Sequence, residues 1–404
     1  MVIILAWRNI WRNKGRSLVV MSSIVVGIWA LIFGHGFMNG FIVGYMAEII
    51  NHDVSNLQIH NHGFKNDYDV TLYLKNGNEK ALEIANWNGV KAVATRALVN
   101  GMIASPRKAA GVHIRGIDVL KESHVTGLDS LISEGSFFQN IDRNPIVIGN
   151  KLAEELKVKV RSKVVLTFND SSGTISAAAF RVDGIITSSS LNISKEYAFV
   201  RQEDLTRILG LEGQIHEIAI LSDPHFDESQ ILTQYQTKYP DDLIETWKQI
   251  APELALMQEM YGSMLYVLMV IIMLALVFGI VNTMLMAVLE RTKELGMLMA
   301  VGMSKIRVYL LVMLETIFLG IISAPFGLLL GFSTITHYTN NGVDLSEYSE
   351  GLAAYGYSSI LYPYVESEAY STIVIAVIIT AIIGAIYPAW KAIKLRPVEA
   401  LRTL

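Results

Sequence analysis

The sequence has no cysteine in its 404 residues, which excludes disulfides and thiolate metal sites. Charge is scarce too. Asp, Glu, Lys and Arg make up 17% of the chain against 52% hydrophobic residues, a balance that belongs to integral membrane proteins rather than soluble domains. No basic tract is interleaved with aromatics away from the ends of the apolar runs, so nothing points to nucleic acid. No Gly-x-x-x-x-Gly-Lys-Ser/Thr loop is present to cradle the phosphates of ATP. The serines at 188–190 lack a Gly-x-Ser-x-Gly elbow. His52, His60 and His62 with Asp53 match no metal-ligand spacing, and His216-Glu217 lacks the second histidine of a metalloprotease helix. No catalytic residue, resident cofactor or metal is expected.

What is abundant is uncharged length. Met260 to Leu289 holds thirty residues without Asp, Glu, Lys or Arg. A hydrocarbon core about 30 Å thick takes about 20 residues of helix. Runs at 17–47, 308–336 and 369–390 qualify as well, the second of them interrupted by Glu315. Glu315 lies about 12 Å of helix from Arg307, near the basic end of its span. That position favours an ion pair or hydrogen bond over proton transport.

Lys and Arg cluster in three places: Arg8 to Arg16, Arg291 to Arg307, and Lys391 to Arg402. The loop 337–368 carries Asp and Glu but neither Lys nor Arg. By the positive-inside rule both termini are expected in the cytoplasm and residues 48–259 outside. The fold class predicted is an α-helical membrane protein of four transmembrane helices, arranged 1+3. A large α+β extracytoplasmic domain lies between the first two.

Residues 1–16 read as an amphipathic interfacial helix, with Trp7 and Trp11 apart from Arg8 and Arg12. In the first span, Gly36, Gly40 and Gly44 recur every fourth residue and would line a packing face. The outer domain divides into a split β-α-β piece, 48–117 with 214–259, and an inserted, mostly β piece, 118–213. Asn169 to Gly173 reads as a hairpin turn within the insertion. Residues 290–307 form a short cytoplasmic connector, and 391–404 a cytoplasmic tail.

Several motifs make the chain recognisable. Asn282-Thr283 lies near the end of the second span, and Glu290-Arg291, Glu294-Leu295-Gly296 and Ala300-Val301-Gly302 follow it. Pro388-Ala389 precedes Pro397-Val398-Glu399-Ala400-Leu401-Arg402, and Val147 to Ala153 opens a β segment. Together they resemble the type VII ABC permeases, the group of MacB, FtsX and the lipoprotein-releasing permeases LolC and LolE. The lone permease length, with Trp7-Arg8-Asn9-Ile10 and Gln58-Ile59, looks most like LolC and LolE.

The resemblance implies a bacterial inner-membrane permease subunit, itself non-catalytic, that transmits force from a cytoplasmic ABC ATPase dimer carrying ATP-Mg. Glu290, Arg291, Glu294, Leu295, Gly296, Ala300, Gly302 and Lys305 would receive the ATPase stroke. Phe37, Met38, Phe41, Met264, Leu265 and Leu268 would line a cleft for acyl chains. A second permease subunit, identical or LolC/LolE-like, a periplasmic lipoprotein carrier or adaptor, and membrane lipid are the expected partners. LolC-type chains carry a proline-containing hook in the outer hairpin; 168–180 is short and has no proline. That leaves open a LolE-like role or a homodimer with another client. A MacB-like exporter and an FtsX-like signal transmitter are the alternative functions.

Overall fold

A computed structural model describes residues 2–12, 14–188, 190–348, 351–352, 357 and 360–394. The C-terminal signature at 397–402 lies outside them. The chain forms two compact units, Met1–Ile42 with Gln258–Leu345 and Ile360–Leu404, and Val43–Met257 with Ser346–Ser359.

Helix α1 (Val2–Arg12) is followed at once by the long α2 (Lys14–Ile49). After α2 the outer unit contributes β1 (Leu57–Asn61), α3 (Gly77–Ile84), β2 (Val90–Ala104), β3 (Ala109–Ile117), α4 (Val119–Thr126) and β4 (Ile132–Gly135). Then come β5 (Pro145–Gly149), α5 (Asn150–Leu156), β6 (Lys163–Asn169), β7 (Ile175–Ile186), β8 (Tyr197–Arg201) and α6 (Gln202–Leu209). It closes with β9 (Glu217–Ser222), α7 (Glu228–Lys238) and β10 (Asp242–Thr246). The chain then runs through α8 (Pro252–Glu290), α9 (Thr292–Ala300), α10 (Lys305–Asn341) and α11 (Ser367–Ile393). Helices α2, α8, α10 and α11 are long and apolar enough to cross a membrane.

In the helical unit, close packing rests on glycine. Ile24, Ile28 and Ile32 recur every fourth residue of α2 and are fully buried. Ile28 and Ile32 sit against Gly327 and Gly331 of α10, where an added Cβ would come within 2.7 and 2.6 Å of them. Apolar transfer alone does not drive helices together in lipid, so this steric fit is what selects the pairing. On α1, Ala6 and Ile10 are buried, whereas Trp7 and Trp11 stay about half exposed.

All ten strands of the outer unit belong to one sheet, in the order β10-β1-β9-β2-β3-β8-β5-β7-β4, with β6 bridging β2 and β7. Its first four strands alternate antiparallel, and α3 and α7 pack over them. Leu57, Ile59, Ile218, Ile220, Ile231 and Tyr235 form their core. The β6 bridge closes β2-β3-β8-β5-β7-β6 into a ring, filled by residues such as Ile103, Ile148, Leu166, Phe168 and Val182.

The 15-residue β2 serves both parts. Its first half pairs with β9, and its second half pairs with β3 and β6. The border expected between 117 and 118 therefore runs through this ring, because β2 and β3 are structural members of it. A long strand needs a partner along its whole length, and no single four-stranded sheet supplies one.

Candidate functional site

The connector between α8 and α10 starts at Arg291. This residue departs from helical dihedrals, with φ −98° and ψ 18°, and so ends α8. Its guanidinium turns inward and is only 7% exposed. Nη1 donates to both carboxylate oxygens of Glu315 at 3.0 and 3.3 Å, and Nη2 donates to the Asn9 carbonyl at 3.2 Å. Glu294 lies 3.9 Å from Arg291 Nε and pairs with Arg12. The connector is thereby tied to α1 and to α10 through charge. Arg291 is the partner that Glu315, a carboxylate near the basic end of its apolar run, requires.

The far end of the connector is set by Gly302, at φ +104°. Met303 N–H reaches the Leu298 carbonyl at 3.0 Å, and Gly302 N–H reaches that of Met299 at 3.2 Å. This is a Schellman stop with glycine at the left-handed position, and Leu298 and Met303 both pack on the helical core.

The eight predicted coupling residues fall into two groups. Arg291, Leu295 and Gly296 are buried and anchor the connector, while Glu290, Glu294, Ala300, Gly302 and Lys305 are exposed. Sequence reasoning missed the apolar residues exposed on α9, the following turn and the start of α10: Met297 at 57%, Val301 at 84% and Ile306 at 72% exposure. Three such side chains on a connector of this length were a usable signal, obscured because they are surrounded by other apolar residues.

Among the described residues, the predicted cleft residues are not gathered in the apolar cavity that two of them line. Leu265 and Leu268 line a cavity of about 250 Å³ with Leu31, His35, Met269 and Ile373, but Phe37, Met38, Phe41 and Met264 are not among its walls. Phe37 instead ends a ring row with Trp29 and Phe33, centroids 5.7 and 6.1 Å apart, that leans on Tyr338 of α10. Met264 is half exposed. Of the three packing glycines, Gly36 meets Ile335 and Val365, and Gly40 meets the backbone at Tyr362 and Pro363. Gly44 has open space where a side chain would be.

The outer unit holds a buried charge network that the sequence did not reveal. Arg96, wholly buried, donates to Glu122 at 3.0 and 2.7 Å and to Glu217 at 2.5 Å. Glu217 in turn faces His60 Nε2 at 2.9 Å. Burial alone would raise the Glu217 carboxyl, but the Arg96 charge reverses this and, with His60, holds it well below the usual carboxylate range. Two further histidines have local partners: His52 the Thr126 carbonyl at 2.5 Å, and His216 the Leu98 amide and the Val70 carbonyl. The geometry is that of a braced structural core.

Comparison with known proteins agrees with this architecture. The family description "MacB-like periplasmic core domain" matches residues 17–237, more than half of the chain, and "FtsX-like permease C-terminal" matches 266–397. An uncharacterized ABC transporter permease of Methanocaldococcus jannaschii is 24% identical, over 99% of this chain and 97% of its own. The lipoprotein-releasing system transmembrane protein LolC of Neisseria meningitidis is 22% identical, over 97% of this chain and 95% of its own. A pyoverdine export ATP-binding/permease protein, PvdT, of Pseudomonas fluorescens is 23% identical over 98% of this chain and 58% of its own. The chain belongs to the ABC transporter permeases of the MacB, FtsX and LolC type, with a MacB-like periplasmic core domain and an FtsX-like permease domain.

Proposed function

We propose that this chain is a permease subunit that extracts lipoproteins from the bacterial inner membrane, using ATP hydrolysed by a separate ATPase subunit. In this reading α2, α8, α10 and α11 cross the membrane in a 1+3 arrangement, both termini are cytoplasmic, and the outer unit is periplasmic. The observation that carries the mechanical part is the connector. Met297, Val301 and Ile306 are each exposed, on a segment braced by Arg291–Glu315 and by Arg12–Glu294. An ATPase dimer that seats on these residues would displace a rigid piece rather than a floppy loop. A second permease, identical or LolC/LolE-like, would complete the complex.

Extraction of an acyl chain opposes about 0.8 kcal/mol per buried CH₂, a reason to couple it to ATP. Leu31, Leu265, Leu268, Met269 and Ile373 are better placed than Phe37 or Phe41 to receive such a chain. The β6–β7 connection supports a LolE-like or homodimeric role rather than a hook-bearing one. Asn169 pairs with Ile175, so only residues 170–174 form the turn, and Asp170 closes it by accepting from Ser172 and Thr174. The relation to PvdT favours a second reading, export of a small molecule from the periplasm. Purification with the ATPase, followed by mass spectrometry of what stays bound, separates the two. Acylated protein released on ATP addition is the expected result; a complex that never holds acylated protein rejects lipoprotein extraction.

A further inference from the structure

A polar cavity of about 370 Å³ lies within the outer unit, apart from the connector and from the apolar cavity. Water fills about 30 Å³ per molecule in the liquid, so the space suits a compound of roughly a dozen non-hydrogen atoms. The wall includes the ends of the two segments that continue into α2 and α8: Asp53 and Val54 on one side, Ile250, Ala251 and Glu253 on the other.

The lining is rich in acceptors. Its two basic side chains already have anionic partners: Arg115 is 3.3 Å from Asp53 and stacks 3.7 Å above the Tyr197 ring, and Lys65 is 2.6 Å from Glu245. Gln58 and Asn192 use their amide N–H groups on the Val54 carbonyl and on Asp53, which leaves their carbonyl oxygens. Glu217 and Asp53 are neutralised inside the protein, but Glu196 and Glu253 are exposed lining residues with no ion-pair partner among the described residues. Among the described residues no three His, Asp or Glu side chains converge in the way a metal ion needs. A bare cation is therefore a poor fit, whereas a molecule that brings its own donors fits well.

We infer that this cavity binds a small organic cation carrying an ammonium group and further O–H or N–H donors, with the ammonium held by Glu196 and Glu253. Such a ligand would touch the outer unit at both of its connections to the long helices.

The test is titration calorimetry on the full chain purified in detergent micelles, with glucosamine as the probe. N-acetylglucosamine, which keeps the hydroxyls but loses the charge, is the control. Saturable glucosamine binding, about tenfold weaker for the N-acetyl compound, is expected. The paired substitution Glu196→Gln with Glu253→Gln should weaken binding about tenfold, as the loss of two exposed charge contacts implies. Glu79→Gln, on an exposed position of α3, should leave it unchanged. No saturable binding, equal binding of both sugars, or full affinity in the paired variant would overturn the assignment. The assay needs neither ATPase nor lipoprotein, so its outcome is independent of the transport reading.

Discussion

Arg291 and Glu315 sit twenty-four positions apart in sequence and meet through two contacts of 3.0 and 3.3 Å, each side chain almost excluded from solvent. Breaking such a pair from one side strands a charge, which costs about 3–5 kcal/mol, whereas replacing both partners by apolar groups of similar size is often neutral. Glu315→Ala should therefore lower the thermal midpoint of the purified chain sharply, and Arg291→Met with Glu315→Leu should recover most of it. Thermal unfolding in micelles checks this. A double variant as unstable as Glu315→Ala would show that the pair is not what holds the connector.

The four-residue glycine series provides an internal control. Valine at Gly36 would drive into Ile335 and Val365, and valine at Gly40 into the Tyr362 carbonyl, which cannot move without the chain around it. Overpacking of this kind costs about 1–3 kcal/mol. Gly44 faces nothing within 4 Å. Gly36→Val and Gly40→Val should reduce the yield and midpoint of the folded protein, while Gly44→Val leaves both near the native values. Equal effects at all three positions would remove the packing explanation.

The connector offers a test of docking that spares the fold. Met297, Val301 and Ile306 are exposed, so Ser at each should leave the midpoint of the isolated chain unchanged. If they seat in an ATPase groove, each loses about 1.5–3 kcal/mol of apolar burial, which is about tenfold or more in affinity. The triple variant should fail to retain the ATPase on an affinity column. Retention at native levels would place the contact elsewhere.

The long helices were legible because an apolar run of thirty residues has few alternatives. The Gly302 stop was not read from the sequence, where the residue stood only within the Ala300-Val301-Gly302 motif, although only glycine takes φ +104° without strain. Other features depend on partners distant in sequence. Nothing local says that Arg96, between Thr95 and Ala97 in a strand, is neutralised by Glu122 and Glu217. Nor does helical spacing show which side of α2 faces α8: Phe37 and Phe41 looked suited to a cleft, but Leu31 and His35 line it. The β6 bridge that closes the ring pairs residues such as Met102 and Thr167, and such long-range pairing leaves no periodic trace.

The outer unit should lose stability on acidification in two stages. Burial lowers the His216 pKa from 6.5, His60 adds to this, and the Val70 carbonyl, Asp69 and Glu217 oppose it. Its neutral ring accepts from Leu98 N–H at 3.1 Å and donates to the Val70 carbonyl at 3.0 Å. A histidine with a lowered folded pKa stabilises fully above its unfolded value and loses that contribution as pH falls through the folded one. Glu217 has the same sign, with stability present above 4.5 and lost below. The unfolding midpoint should be level above about pH 7, decline below about 6.5 and fall faster below about 4.5. His216→Gln can make both hydrogen bonds but does not titrate, so it should reduce the first decline, leaving the share of His113, whose pKa burial also lowers, and keep the second. A variant that follows the native profile throughout would show that the first stage belongs to another group.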